Sequence, residues 1–180
     1  MINDDCLNEL LSYTERDDVG ITGARLLYED NTVQHAGVVI GYNGLAGHTF
    51  VGNEPDDVGY HAYVIQARDY SAVTAACLMV KASLYDEVGG FEEELEVAFN
   101  DVDFCLKVRE KGYLVVYNPY AVLHHYESKS RGYEDTPEKR NRFEKEAFFT
   151  YNKWEKILAD GDPCYNPNLT LSNSDFSLRE

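Results

Sequence analysis

Basic residues are scarce in this chain. It carries 16 Lys and Arg against 32 Asp and Glu, for a formal net charge of −16. Such a surface repels phosphate backbones, which argues against nucleic acid as a partner. Cysteine is sparse too. Cys6, Cys77, Cys105 and Cys164 lie far apart and form no CxxC pair. Cys77 and Cys105 sit in apolar runs and read as buried small hydrophobes, which fits a reduced, cytoplasmic setting. No apolar run approaches the ~18 residues needed to cross a bilayer. The start, Met1 to Asp5, has neither a basic flank nor an apolar core and is not a signal peptide. Attachment to the inner face of a membrane would have to come through a longer parent chain or its partners. Internal repeats and low-complexity tracts are missing as well.

What is present describes a folded domain. The 180 residues are 44% hydrophobic and include 14 Tyr, enough for one domain with a real core. Asn3 or Asp4 can cap a helix carrying Leu7, Leu10 and Leu11. Val19 to Leu27 reads as a strand, with Gly20 and Gly23 where another group approaches closely. Val33 to Ile40 reads as a second strand. Gly41 to Gly59 is a long glycine-rich loop, and long loops in compact domains are often functional. Tyr60 to Ala67 reads as a short extended piece. Ser71 to Val80 is a nearly continuous apolar run, as in a strand buried on both faces. Lys81 to Val88 forms a short helix closed by Gly89-Gly90. Tyr113 to Tyr117 is another buried strand, ended by Pro119, and Ala121 to His125 one more. Thr136 caps a long helix with Pro137 at its first position. Phe143, Ala147, Phe148, Tyr151, Trp154 and Leu158 mark its buried face as core packing rather than a sugar platform. Gly161 stops that helix, and an irregular tail follows. Strands alternating with helices predict an α/β layer structure. The expected organisation is a single domain over 1–180, with a sheet-and-helix core over 1–132 and a C-terminal helix and tail over 133–180.

The chemistry centres on Asn100-Asp101-Val102-Asp103-Phe104-Cys105-Leu106. Asn100 can cap a helix whose apolar stripe is Val102, Cys105, Leu106 and Val108, with Gly112 as its stop. Asp101 and Asp103 then fall in the first turn, where the helix dipole favours a carboxylate. A carboxylate there can serve as a general base or bind a metal. Taken alone, the stretch reads as ordinary capping chemistry. His35 and His48 read as structural.

A wider set of residues carries a family resemblance. Val33-Gln34-His35-Ala36-Gly37-Val38, Ser71-Ala72-Val73-Thr74-Ala75-Ala76-Cys77, Gly89-Gly90-Phe91 and the Asn100–Leu106 stretch occur in that order. His125-Tyr126-Glu127-Ser128-Lys129-Ser130-Arg131-Gly132 and Asp162-Pro163-Cys164-Tyr165-Asn166-Pro167-Asn168-Leu169 continue it. Together they resemble family 2 glycosyltransferases of the GT-A fold, in the subgroup that builds rhamnose-containing bacterial surface polysaccharides. The resemblance implies a mixed sheet with flanking helices. It also implies that the nucleotide-binding half and its Asp-x-Asp motif lie before this chain, so that Met1 is not the parent enzyme's start.

By that resemblance Asp101 matches the base of an inverting transferase, with Asp103 as a supporting residue. Asn100 stands where Glu is more frequent, and Ala75 where Gly often occurs. His125 matches a metal ligand, while His124 replaces a Tyr and is expected to face the core. Gly90, Phe91, Thr74 and Asn100 match substrate-side positions, and Lys129, Ser130 and Arg131 would close over the diphosphate. The parent would use Mg²⁺ or Mn²⁺, a nucleotide-sugar donor and a glycan or lipid-linked acceptor. The chain alone is expected neither to bind sugar nucleotides tightly nor to transfer sugar. The rival reading is a non-catalytic acidic sugar-binding or assembly module. Two structural expectations follow. Asp101 and His125 should share a cleft with the Gly41–Gly59 loop, and an exposed sheet edge or face should drive homo-oligomer formation.

Overall fold

The computed structural model describes residues 5–126, 136–174 and 176–179. It is a mixed α/β structure with flanking helices, as a partial GT-A-like fold requires. Helix α1 is Cys6–Thr14 and strand β1 is Val19–Leu27. Every residue of β1 is buried, because it is the centre of the sheet. One edge of β1 pairs in parallel with β7, Leu114–His124. Two short antiparallel strands also pair with β1: β6, Leu78–Val80, along Ile21–Gly23, and β2, Val33–His35, at Leu26–Leu27. β5, Arg68–Asp69, pairs antiparallel with β7 at Tyr117 and Val116.

Close packing explains the glycines of β1. A Cβ at Gly20 would come within 2.4 Å of Val108, and one at Gly23 within 2.6 Å of Val73. Val108 belongs to helix α3, Asn100–Glu110, so Gly20 lets that helix lie hard against the sheet. The larger core lies on this face and includes Ile21, Val73, Phe104, Cys105 and Tyr117. A smaller core of Cys6, Leu10, Ala24, Leu26 and Ala121 lies under α1.

Several expected elements differ. Val33–Ile40 is two strands, because Gly37 turns the chain at φ 107°. The second, β3 (Val38–Ile40), pairs with β4, Ala46–His48, in a separate ribbon formed within the expected loop. Tyr60–Ala62 is a 3₁₀ turn rather than an extended piece. Of Ser71–Val80 only the last three residues are strand. The buried residues before them, Ser71 to Thr74, run beside the ribbon with a single bridge between Val38 and Ala72, and Val73 packs against Gly23 of β1. The two strands expected around Pro119 are one. Ala24 pairs with Asn118 and Arg25 with Val122, so Pro119 sits in a bulge where its missing N–H is not needed.

The helices also present other faces than expected. α1 buries Cys6, Leu10 and Thr14, leaving Leu7 and Leu11 exposed. Asn3 and Asp4 lie outside the described residues. α2, Ala82–Glu87, is the expected short helix. α4, Pro137–Lys153, is capped by Thr136, whose hydroxyl oxygen accepts from Lys139 N at 3.3 Å. It ends at Trp154, and α5, Glu155–Asp160, follows. Phe143, Phe148 and Tyr151 are exposed, and the buried row is Glu146, Thr150 and Trp154. The reason is polar. The Glu146 carboxylate accepts from the amides of Glu96, Val97 and Ala98, at 3.1, 3.3 and 2.7 Å. The tail returns to the core through Asp162, whose carboxylate accepts from Ile40 N at 2.7 Å and Ser71 Oγ at 2.5 Å. Phe176 stacks against Phe50 and Tyr60. No described helix is long and apolar enough to cross a membrane.

Candidate functional site

One cleft of about 1390 Å³ collects the chemistry. Asn100 and Asp101 reach it from the start of α3, His125 from just beyond β7, Gln34 from β2, His48 from β4, and Thr74 from the segment before β6. The Gly41–Gly59 loop contributes Asn43, Gly47 and Val51, and the tail Ser172 to Ser174. The expected shared cleft of Asp101, His125 and this loop is therefore what the structure has.

Asp101 is set by backbone rather than by side chains. Its Oδ1 accepts from Val102 N at 2.9 Å and its Oδ2 from Ala75 N at 3.3 Å. Asn100 is the first helical residue, and Phe99 takes the cap position instead, at φ 60°. A left-handed Phe is costly, and such strain gathers at functional sites. Here it turns the chain into α3 at the cleft wall, where the Phe99 ring packs on Phe143, 5.5 Å between centroids. Glu146 holds the preceding amides. Ala75 thus supplies the amide that holds Asp101. Thr74 closes the same turn by accepting from Ala76 N at 3.3 Å.

Asp103 goes elsewhere. It is fully buried, and its Oδ1 accepts from Trp154 Nε1 at 2.9 Å. Lys153 lies 2.8 Å from Oδ1 and Lys107 3.1 Å from Oδ2. Its carboxylate ties α3 to the α4–α5 junction, apart from the cleft lining. Gly90 and Phe91 also lie outside that lining. The Gly90 carbonyl accepts from Lys107 Nζ at 3.1 Å, and the Phe91 ring packs on Tyr85 and Phe104. Lys129, Ser130 and Arg131 lie outside the described residues.

His125 is oriented by Gln34, a residue without a role in the sequence reading. Gln34 Nε2 donates to the His125 carbonyl at 3.3 Å, which turns its Oε1 to His125 Nδ1 at 2.9 Å. Nδ1 is therefore the protonated nitrogen, leaving the Nε2 lone pair for a ligand. Such an outer partner is what a metal-binding His needs. The signal available in the sequence was Gln34 beside His35, two polar residues in a short buried strand. His124 faces outward instead of into the core, at 2.8 Å from the Asn31 side-chain oxygen. No group of three His, Cys, Asp or Glu able to hold a metal occurs among the described residues.

His35 and His48 form a pair. Their Nδ1 atoms are 3.0 Å apart, and Thr74 N donates to His35 Nε2 at 3.4 Å. His35 is fully buried, and burial, with His48 beside it, pushes its pKa well below the ordinary value. The neutral ring is thus favoured.

No family model matches the chain. It is 49% identical over 179 residues, 99% of its length, to the uncharacterized protein y4gI of Sinorhizobium fredii. It is 36% identical over 175 residues to the O-antigen biosynthesis protein RfbC of Myxococcus xanthus. A 60-residue stretch, 33% of the chain, is 35% identical to the N-acetylglucosaminyl-diphospho-decaprenol L-rhamnosyltransferase of Mycobacterium tuberculosis. The chain covers 20%, 13% and 20% of these three proteins, a fifth of their length or less.

Proposed function

We propose that this chain is the acceptor-side part of a glycosyltransferase of family 2, acting in bacterial surface-polysaccharide synthesis. The observation that carries the reading is the meeting of Asp101, Thr74 and His125 in one cleft from three separate parts of the chain. Similarity to an O-antigen biosynthesis protein and to a rhamnosyltransferase supports it. The cleft exceeds the ~300–1,000 Å³ of small-ligand pockets, as an extended saccharide acceptor requires.

In this reading Asp101 takes the proton of the acceptor hydroxyl as that oxygen attacks the anomeric carbon. The nucleotide diphosphate leaves from the opposite face, so the configuration inverts. The two amides on Asp101 hold its oxygens in place. A Mg²⁺ or Mn²⁺ ion, when bound, would neutralise charge on the leaving diphosphate. His125 Nε2 would be this chain's ligand to it, kept in orientation by Gln34. Nucleotide binding is assigned to sequence beyond this chain.

The test is a transfer assay on the full-length protein with sugar nucleotides and a titrated divalent ion. Mn²⁺-dependent transfer is expected, and His125→Ala should raise the Mn²⁺ needed for half-maximal rate by about 10–100-fold, as loss of a ligand or its support does. Sugar binding without transfer would favour the non-catalytic module. Unchanged Mn²⁺ dependence in His125→Ala would remove the metal role.

A further inference from the structure

The cleft has an aromatic corner beside its carboxylate. Phe99 stands two positions before Asp101, and both line the cleft. Its φ of 60° puts a bulky side chain in the left-handed region. Gly or Asn would take that backbone at less cost, so the strain is kept together with the ring. The 96–98 amides that Glu146 holds come immediately before it, and α3 begins immediately after. Phe99 is thus fixed from both sides. Phe143 meets it from α4, with the ring planes 45° apart. Phe143 is not used in the core: it is 42% exposed and lines the cleft. Two apolar rings, tilted against each other, therefore border a space whose lining also includes Thr74, Asn100 and Asp101.

We propose that Phe99 and Phe143 form a sugar-stacking subsite, where the C–H face of a pyranose ring packs while one of its hydroxyls meets Asp101. The proposal rests on the glycosyltransferase reading and assigns the acceptor's reacting ring to this corner. Sugar C–H groups carry partial positive charge and the face of a phenyl ring is negative. The contact is therefore attractive beyond the area it buries. The tilt between the rings makes a wedge, which suits the puckered chair of a sugar better than a flat nucleobase. Charge points the same way. A nucleotide would bring phosphate toward Asp101 in a chain of net charge −16, whereas a sugar ring is neutral. Phenyl rings offer no hydrogen-bonding group. The pair thus selects for an apolar ring face, not for a pattern of hydroxyls.

Aromatic proton–carbon correlation spectra of the 180-residue chain test this, with its eight Phe assigned by substitution. Methyl β-D-glucopyranoside and methyl α-L-rhamnopyranoside are each added to about 0.2 M, enough to populate even a weak sugar site. At least one should shift the ring signals of Phe99 and Phe143 and give nuclear Overhauser contacts from its ring C–H protons to them. Phe148, 70% exposed on the same helix and outside the cleft lining, should not respond. D-Glucitol, which has hydroxyls but no ring, should act much more weakly. Phe143→Ala should lower the affinity for the responding glycoside by about 3–10-fold, while Phe143→Trp and Phe148→Ala keep it. No response to either glycoside, an equal response to glucitol, or unchanged affinity in Phe143→Ala would overturn the subsite. A stronger response to uridine would make the corner a nucleobase site and overturn it as well. None of these readouts depends on transfer activity. Failure of the glycosyltransferase reading would instead appear as absent transfer in the full-length protein.

Discussion

Asp101 and Asp103 are two residues apart and do different things. Helical geometry sends side chains at that spacing to different faces. Asp101 meets the Ala75 amide at the cleft, and Asp103 meets Trp154 in the interior. Asp103→Asn should therefore act on stability. It removes the charge that Lys107 and Lys153 share, leaving Lys153 only Glu92 at 2.7 Å, and should cost about 1–3 kcal/mol in denaturant unfolding. A variant as stable as the parent would contradict the clamp. His35 gives a pH prediction. Its folded-state pKa is depressed, so between that value and the unfolded value the unfolded chain binds the extra proton. The stability contribution is complete above about pH 6.5 and is lost as pH falls below it, by up to about 1.4 kcal/mol per unit. The groups facing this ring are His48 and, edge-on, Tyr117. Chemical unfolding should show the acid loss, and His35→Gln should flatten it. A His35→Gln profile as steep as the parent's would contradict the assignment.

Elements were legible where one physical signal dominated. β1 reads from composition because it is buried throughout, and α3 reads from its stripe and its Gly112 stop. Ser71–Val80 misled because apolar content reports burial and not strand geometry; Ser71 to Thr74 are buried but make only a single bridge, from Ala72 to Val38. α4 misled for the opposite reason. Its inward row is Glu146, Thr150 and Trp154, and a buried Glu is visible only once its three amide donors are known. Asp101 and His125 were legible through the ordered motif series. Gln34 and the His35–His48 pair were not, because a hydrogen-bond chain across four segments leaves no local spacing. Glu146 holds the turn that delivers Phe99 and Asp101 to the cleft. Glu146→Gln keeps one acceptor of two, with an expected loss of about 1–3 kcal/mol. In the full-length protein it should also slow transfer, because the 96–100 turn loses its anchor. Unchanged melting and unchanged transfer would dismiss this role.

At the scale of the molecule, charge and shape divide the work. The net charge of −16 covers the surface. The cleft instead mixes amide donors and histidines with the aromatic walls Tyr28, Tyr42 and Phe143. Such a mixture suits sugar, whose hydroxyls want partners and whose ring faces pack on aromatics. The central claim is that Asp101 serves this cleft as the base and contributes nothing to donor affinity. The measurement that reaches it most directly pairs calorimetric donor binding with transfer rate in full-length Asp101→Asn. Removal of a general base should lower the rate by at least about 100-fold and leave the donor Kd within about threefold. Transfer at the parent's rate in Asp101→Asn, or a loss explained wholly by weaker donor binding, would contradict the account.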